Sequence, residues 1–187
     1  MLKSATQGGW SLVELMAAIA IVVLLIAAAS PNISAWINNA RIRTVAEGLQ
    51  ASLQFARAEA VRRNTTVSLY LTNNVGSDCA LSGTVPFWVV SQNSPEGACD
   101  NNTNILQRAE SREGGSLVQL YSNMSTISFD GLGRATTGAA LICAGISAVN
   151  ATCLAEKPEQ QLALQISAGG QVRMCSNSRP AGDPQRC

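Results

Sequence analysis

The sequence predicts an α+β chain in which one long N-terminal helix leads into a β-rich head. Three observations predict it. From Trp10 to Ser30 the chain reads WSLVELMAAIAIVVLLIAAAS, an apolar run with one charge, Glu14. After Pro31, and as far as Arg63, apolar residues recur every three or four positions, the period of an amphipathic helix. Beyond Asn64 the chain breaks into short β-branched and aromatic runs divided by Asn, Gly and Ser clusters, the pattern of strands and turns.

Composition removes several function classes. The 187 residues suit one domain and an appendage. Hydrophobic residues make up 47% and the formal charge is +1, which excludes a disordered chain. That charge also gives no global basic field for nucleic acid. Aromatics at 4% argue against a base-stacking surface. Histidine is absent, so Ser-His-Asp and Cys-His catalysis and His-based zinc sites are excluded. No pair of carboxylates has a context for acid–base work, and Asp130 beside Gly131 fits a turn. Gly131-Leu132-Gly133 lacks the strand–GxGxxG–helix setting of a dinucleotide site. The expectation is a chain that is no enzyme and carries no cofactor or metal.

As a helix, residues 10–30 would measure about 31 Å, enough to cross a bilayer core. A cleaved secretory signal is the plain alternative, with Ala27-Ala28-Ala29-Ser30 imitating a cut site. The length of the run and the acid near its start argue against it. A carboxylate in a membrane helix costs a few kcal/mol, so Glu14 is a functional candidate by default. In residues 31–63 the stripe Ile42, Val45, Ala46, Leu49, Leu53, Ala56 and Ala60 should pack on the head, with Glu47, Gln50, Gln54, Arg57 and Arg62 on other faces. Together the two halves make one helix of roughly 80 Å, bent near Pro31.

Residues 64–187 form the head. Strand signals lie at Thr66–Leu71, Val85–Val90, Leu117–Tyr121, Thr126–Phe129, Ala139–Cys143, Leu162–Ile166 and Gln171–Cys175. Six cysteines fall here, Cys79, Cys99, Cys143, Cys153, Cys175 and Cys187. An even count downstream of a membrane segment suggests disulfides in an oxidising compartment. Several pairings are open, and sequential pairing, which closes three local loops, is favoured. Each such loop stabilises by about 3 kcal/mol in the chain-entropy model. The rival, a zinc site, has no CxxC to support it.

The leader MLKSATQGG ends in Gly8-Gly9, and Trp10-Ser11-Leu12-Val13-Glu14-Leu15 follows. This resembles the prepilin motif of type IV pilins and type II secretion pseudopilins. The resemblance implies cleavage after Gly9 by prepilin peptidase, N-methylation of Trp10, and an assembly role for Glu14, the fifth residue from Trp10. Pro31 occupies the place of the helix-kinking proline. Trp10 stands where the family usually has Phe. Cleavage would free an amine on Trp10, and in a filament that amine can neutralise Glu14 of another subunit. The rival is a bond from Glu14 to its own N-terminus.

Two further stretches narrow the resemblance. Arg57-Ala58-Glu59-Ala60-Val61-Arg62-Arg63-Asn64 looks like the ARxEAVxRN pattern of FimT, FimU and GspH proteins, and Ser128-Phe129-Asp130-Gly131-Leu132-Gly133-Arg134-Ala135-Thr136 resembles their strand and turn. The closing Gly182-Asp183-Pro184-Gln185-Arg186-Cys187 looks like their disulfide-closed terminus. The implied fold is that of a type IV pilin. The implied role is a minor pilin that primes assembly or caps a type IV pilus, with a minor pseudopilin of type II secretion as the alternative. Implied partners are major and minor pilins, prepilin peptidase and the inner-membrane assembly platform. The implied location is the inner membrane with a periplasmic head, then the filament. A third alternative is a FimT-like DNA receptor. The family's Gly-Arg-x-Arg segment corresponds to Gly170-Gln171-Val172-Arg173, which lacks the first arginine. Candidate DNA contacts are Arg134, Arg173, Arg179 and Arg186. Losing Lys3 with the leader brings the 13 basic side chains level with the 12 acidic ones, and non-specific DNA affinity scales with the phosphates neutralised.

One outcome follows directly. Mass spectrometry of the membrane-extracted chain should find residues 1–9 removed and Trp10 at the N-terminus. An intact leader, or a cut after Ala29, would refute the prepilin reading.

Overall fold

A computed structural model describes residues 11–110, 118–146, 161–176 and 179–187, with the side chains of 27–32 and 110 outside that description. One helix, α1, runs Leu12–Arg63. Nine strands follow: β1 Val67–Thr72, β2 Thr84–Val85, β3 Phe87–Ser91, β4 Ile105–Glu110, β5 Gln119–Ser122, β6 Thr126–Phe129, β7 Ala140–Gly145, β8 Gln161–Ile166 and β9 Val172–Cys175. The chain divides into two compact units, the first ending at Ile37 and the second running Asn38–Cys187.

The first unit holds the apolar part of the helix. Ser11 caps it: its Oγ accepts the Glu14 N–H at 3.2 Å, and its carbonyl accepts the Leu15 N–H at 3.2 Å. Ser11-x-x-Glu14 is thus the spacing of a capping box. Pro31 sits inside the helical run, where its ring removes one backbone donor. Among the described residues no helix is long and apolar enough to cross a membrane. The described side chains of the expected span, 11–26, make about 24 Å of helix; Trp10 and the side chains of 27–30 complete the stretch and lie outside the described residues.

In the second unit, α1 packs on two antiparallel sheets, ordered β4-β3-β1-β6 and β2-β5-β7-β8-β9. Every member of the expected stripe from Ile42 to Ala60 is buried, joining Leu69, Leu71, Trp88, Leu120, Phe129, Ile142 and Ile166 in one core. Burying side chains the size of Ile42, Leu49 and Leu53 stabilises by roughly 1.5–3 kcal/mol each. Ser52 is the polar exception in this interface. Its Oγ accepts the Trp88 Nε1–H at 2.9 Å and donates to the Gly48 carbonyl at 3.0 Å, so both buried groups are satisfied.

Two strand expectations need correction. Val85–Val90 is not one strand. Pro86 divides it, so that β2 pairs with β5 in the second sheet while β3 pairs with β1 and β4 in the first. A proline has no N–H for a ladder, and the chain changes sheets there. Strand β4 carried no strand signal. Leu106, Gln107, Arg108 and Ala109 are all good helix formers, and pairing with β3 overrides their propensity.

The disulfides lie away from the main core. Cys79 is bonded to Cys99, and the pair packs with Val89 on the opposite face of β3 from Trp88 and Val90. Cys175 is bonded to Cys187, and Cys175 packs with Tyr121, Cys143 and Ala163. Cys143 is also disulfide-bonded. Its expected partner, Cys153, lies outside the described residues.

The helix ends in a Schellman arrangement. Thr65 N–H reaches the Ala60 carbonyl at 3.1 Å and Asn64 N–H reaches Val61 at 3.2 Å, with Asn64 at φ 50°. Gly131, Gly133 and Gly170 press against this end. A Cβ on Gly131 would stand 2.6 Å from Asn64 Oδ1, and one on Gly133 would stand 3.1 Å from Arg57 Nε and Val61 Cγ2. A Cβ on Gly170, at φ +77°, would overlap the Gly133 carbonyl oxygen.

These contacts set an order of stabilities for chemical denaturation. Gly138 has φ +81° with nothing within 4 Å of its Cβ position, so Gly138→Ala should cost only the left-handed backbone penalty, about 1–2 kcal/mol. Gly170→Ala should cost clearly more, because backbone must also move. Ser52→Ala should cost about 1–3 kcal/mol by stranding the Trp88 N–H. Equal costs for the two glycine variants would show that the helix end is not tightly seated.

Candidate assembly site

The apolar half of α1 is uncovered. Leu12, Val13, Leu15, Met16, Ile19, Ile21, Val22, Val23, Leu24, Leu25 and Ile26 are each more than half exposed. Single exposed apolar side chains are ordinary, but a contiguous surface of this kind marks an interaction site. Glu14 lies in its first turn. Among the described residues its carboxylate has no hydrogen bond and no ion pair, while its backbone N–H is taken by Ser11. Gly9 and Trp10, the expected cleavage and methylation positions, lie outside the described residues, as does the Pro31 side chain.

The far end of the helix is built differently. Glu59 accepts from Arg62 Nε at 2.9 Å and Nη2 at 2.7 Å, and from Arg63 Nε at 2.7 Å. These guanidinium hydrogen bonds, Arg62 first and then Arg63, hold its carboxyl down at about 2. Arg57 points the other way, into the head. Its Nε donates to the Gly133 carbonyl at 2.9 Å and its Nη2 to Gly169 at 3.4 Å. The Arg57–Asn64 segment is therefore a clasp. Its acid gathers two surface arginines, and its first arginine locks the helix to two glycine turns.

The turn at Asp130 is held by its own carboxylate. Oδ1 accepts the N–H groups of Leu132 at 3.0 Å and Arg134 at 2.8 Å, and Oδ2 accepts Arg134 Nε at 2.9 Å. The backbone bond from Arg134 is the main reason its carboxyl sits below the usual range. Arg134 is thus committed within its turn. The other three arginines meet around the C-terminal tail. Arg173 donates to Gln165 Oε1 at 2.7 Å and to the Pro184 carbonyl at 3.4 Å, Arg179 pairs with Asp183 at 3.7 Å, and Arg186 donates to the Arg179 carbonyl at 3.3 Å. Arg173, Arg179 and Arg186 share this tail network, and Arg134 stands apart from it. Among the described residues no group of three His, Cys, Asp or Glu is placed to hold a metal.

Two functional contacts escaped the sequence reading. The Ser11–Glu14 cap had a readable signal in its spacing. The Arg57 clasp had none, because its partners are backbone carbonyls 76 and 112 residues away.

A helix laid across two antiparallel sheets, with an uncovered apolar N-terminal half, defines a protein of the type IV pilin fold. The family model described as Type II transport protein GspH matches residues 45–170, and the chain belongs to that family. It is a minor pilin or pseudopilin. Its structure is similar to that of the type IV minor pilin FimU of Pseudomonas aeruginosa in two crystal forms. Identity is 16% and the TM-score 0.52 in both, covering 74% of this chain and 97% of FimU in one, and 75% and 92% in the other. No curated protein matches the chain at a significant level.

The Glu59 geometry gives a pH dependence. Its folded pKa of about 2 lies below the ordinary 4.5. Its stabilising contribution is therefore full above the unfolded value and is lost as pH falls toward the folded one. NMR titration should place the Glu59 carboxyl midpoint near pH 2, and Glu59→Gln should flatten the acid limb of the stability profile in that window. A midpoint in the ordinary Glu range would mean that the two arginines do not hold it in solution.

Proposed function

We propose that this chain is a minor pilin of a type IV pilus that enters the filament through its N-terminal helix after cleavage before Trp10. The observation that carries this reading is the uncovered apolar helix with one carboxylate at its start, Glu14, which has no partner among the described residues. Such a surface needs lipid before assembly and neighbouring helices after it. In lipid, Glu14 is costly. Beside the free amine of a neighbour's Trp10 its charge is neutralised, so only the correct register removes the penalty. Residues 10–30 are then the membrane-spanning and filament-core half, 31–63 the half that carries the head, and 64–187 the head itself.

Priming or tip placement suits a head whose outer faces and tail are tied by disulfides. The inner membrane is the site before assembly, with the head in the periplasm, where such bonds form. Partners are other major and minor pilins, prepilin peptidase and the assembly platform. The role is structural, with no reaction to catalyse. The likeness to FimU favours the pilus. The alternative, a minor pseudopilin of type II secretion, is favoured by the description of the matching family.

Glu14→Ala tests the pairing. Membrane extraction should be unchanged, and incorporation into sheared filaments, measured by immunoblot, should fall about tenfold or more. Unchanged incorporation would remove the argument from charge neutralisation.

A further inference from the structure

Between the end of α1 and the edge strand β9 lies an open groove of about 720 Å³, lined by Arg57, Ala58, Val61, Arg62, Val172 and Arg173 among others. Its floor is apolar and its rim carries guanidinium groups. One wall is an unfinished sheet edge. Ser167 N–H donates to the Gln171 carbonyl at 2.9 Å, and Arg173 and Cys175 are registered on Gln165 and Ala163 of β8. In an antiparallel pair the bonded positions alternate. Gln171, Arg173 and Cys175 therefore bond inward, and Val172 and Met174 turn their N–H and C=O outward. The next outward position, Ser176, is taken: its N–H reaches the Gln185 carbonyl of the tail at 2.9 Å. The tail stops there. Among the described residues no other backbone bonds to Val172 or Met174 on that edge.

The charges on the rim are unequal. Arg62 is neutralised by Glu59. Among the described residues, Arg57 and Arg173 donate only to neutral acceptors, the carbonyls of Gly133, Gly169 and Pro184 and the amide of Gln165. The Arg173 guanidinium stands with Gln165 on the sheet face opposite Val172 and Met174, which pack toward the helix, so this open strand edge calls for an extended backbone with apolar side chains on one face and an anion on the other.

We propose that this groove receives a short extended peptide segment of a neighbouring pilin-like subunit, with alternating apolar and acidic side chains. The segment adds to β9 as a further strand. Its backbone satisfies Val172 and Met174, its apolar side chains cover Ala58, Val61 and Val172, and its carboxylate, on the other face, meets the Arg173 guanidinium. Nucleic acid fits this site less well. None of the lining residues is aromatic, so no base can stack, and the apolar floor offers nothing to phosphates. That a neighbouring subunit supplies the segment rests on the filament reading; the chemistry of the groove does not.

The test uses the full chain in detergent micelles. It is titrated with a blocked pentapeptide of alternating valine and glutamate, with the same peptide carrying lysine for glutamate, and with a short DNA duplex. The acidic peptide should bind saturably and more tightly than either of the others. Val172→Pro removes one outward N–H while leaving the ladder to β8 intact, and should weaken binding about tenfold. Arg173→Glu should weaken it by a similar factor, with the lysine peptide regaining affinity on that variant. Far-UV circular dichroism and an intact Cys175–Cys187 bond check that both variants are folded. Absence of saturable peptide binding, wild-type affinity in either variant, no rescue by the lysine peptide, or tighter binding of DNA overturns the proposal. A chain that enters filaments yet binds no peptide overturns this proposal alone and leaves the filament reading standing.

Discussion

Burial of one stripe of α1 between two sheets is the constraint on which the rest of the head depends. Ile42, Val45, Leu49, Leu53, Ala56 and Ala60 repeat at helical spacing, and both sheets close on them. The spacing decides which helix face turns inward, and Ala46, Ala56 and Ala60 are buried on that face with the larger side chains. Ser52 is admitted to that face because Trp88 and the Gly48 carbonyl use both of its hydrogen-bonding capacities. Without such partners a buried hydroxyl would cost more than the packing returns. The same helix face thus holds an apolar seam and one satisfied polar relay.

The helix was legible because its period is strong and local. Its core list was read from spacing alone, and its stop at Asn64 coincides with the left-handed cap found there. Most strands were legible for the same reason, since alternation and β-branching mark them. What was not legible came from contacts distant in sequence. Leu106 to Ala109 carry helix-forming propensity and become a strand because β3 offers an edge. Val85 and Phe87 look like one strand, and only the topology assigns them to different sheets. The candidate site divides in the same way. Glu14 stands out as the lone charge in an apolar run, whereas Arg57 looks like any surface arginine and is anchored by the carbonyls of Gly133 and Gly169.

Charge is used sparingly and in two ways. At the helix end, Glu59 gathers Arg62 and Arg63 and fixes their side-chain directions. In the Asp130 turn, the carboxylate organises backbone amides as well as Arg134, so the turn keeps its shape against the helix cap. The arginines that suggested a nucleic-acid surface are mostly spent on such local work. Arg134 and Arg179 have acidic partners and Arg186 caps a carbonyl. A chain of formal charge +1 with most of these arginines committed has little long-range field to offer a polyanion.

The hand-over at Pro86 has a mechanical meaning. Thr84 and Val85 are stitched to β5, and two residues later Phe87 begins a ladder with β1 and β4. A tug that peels one sheet must drag this short link and shear the neighbouring ladder as well. The two layers therefore yield together rather than unzipping in turn, so the head resists as one mechanical unit.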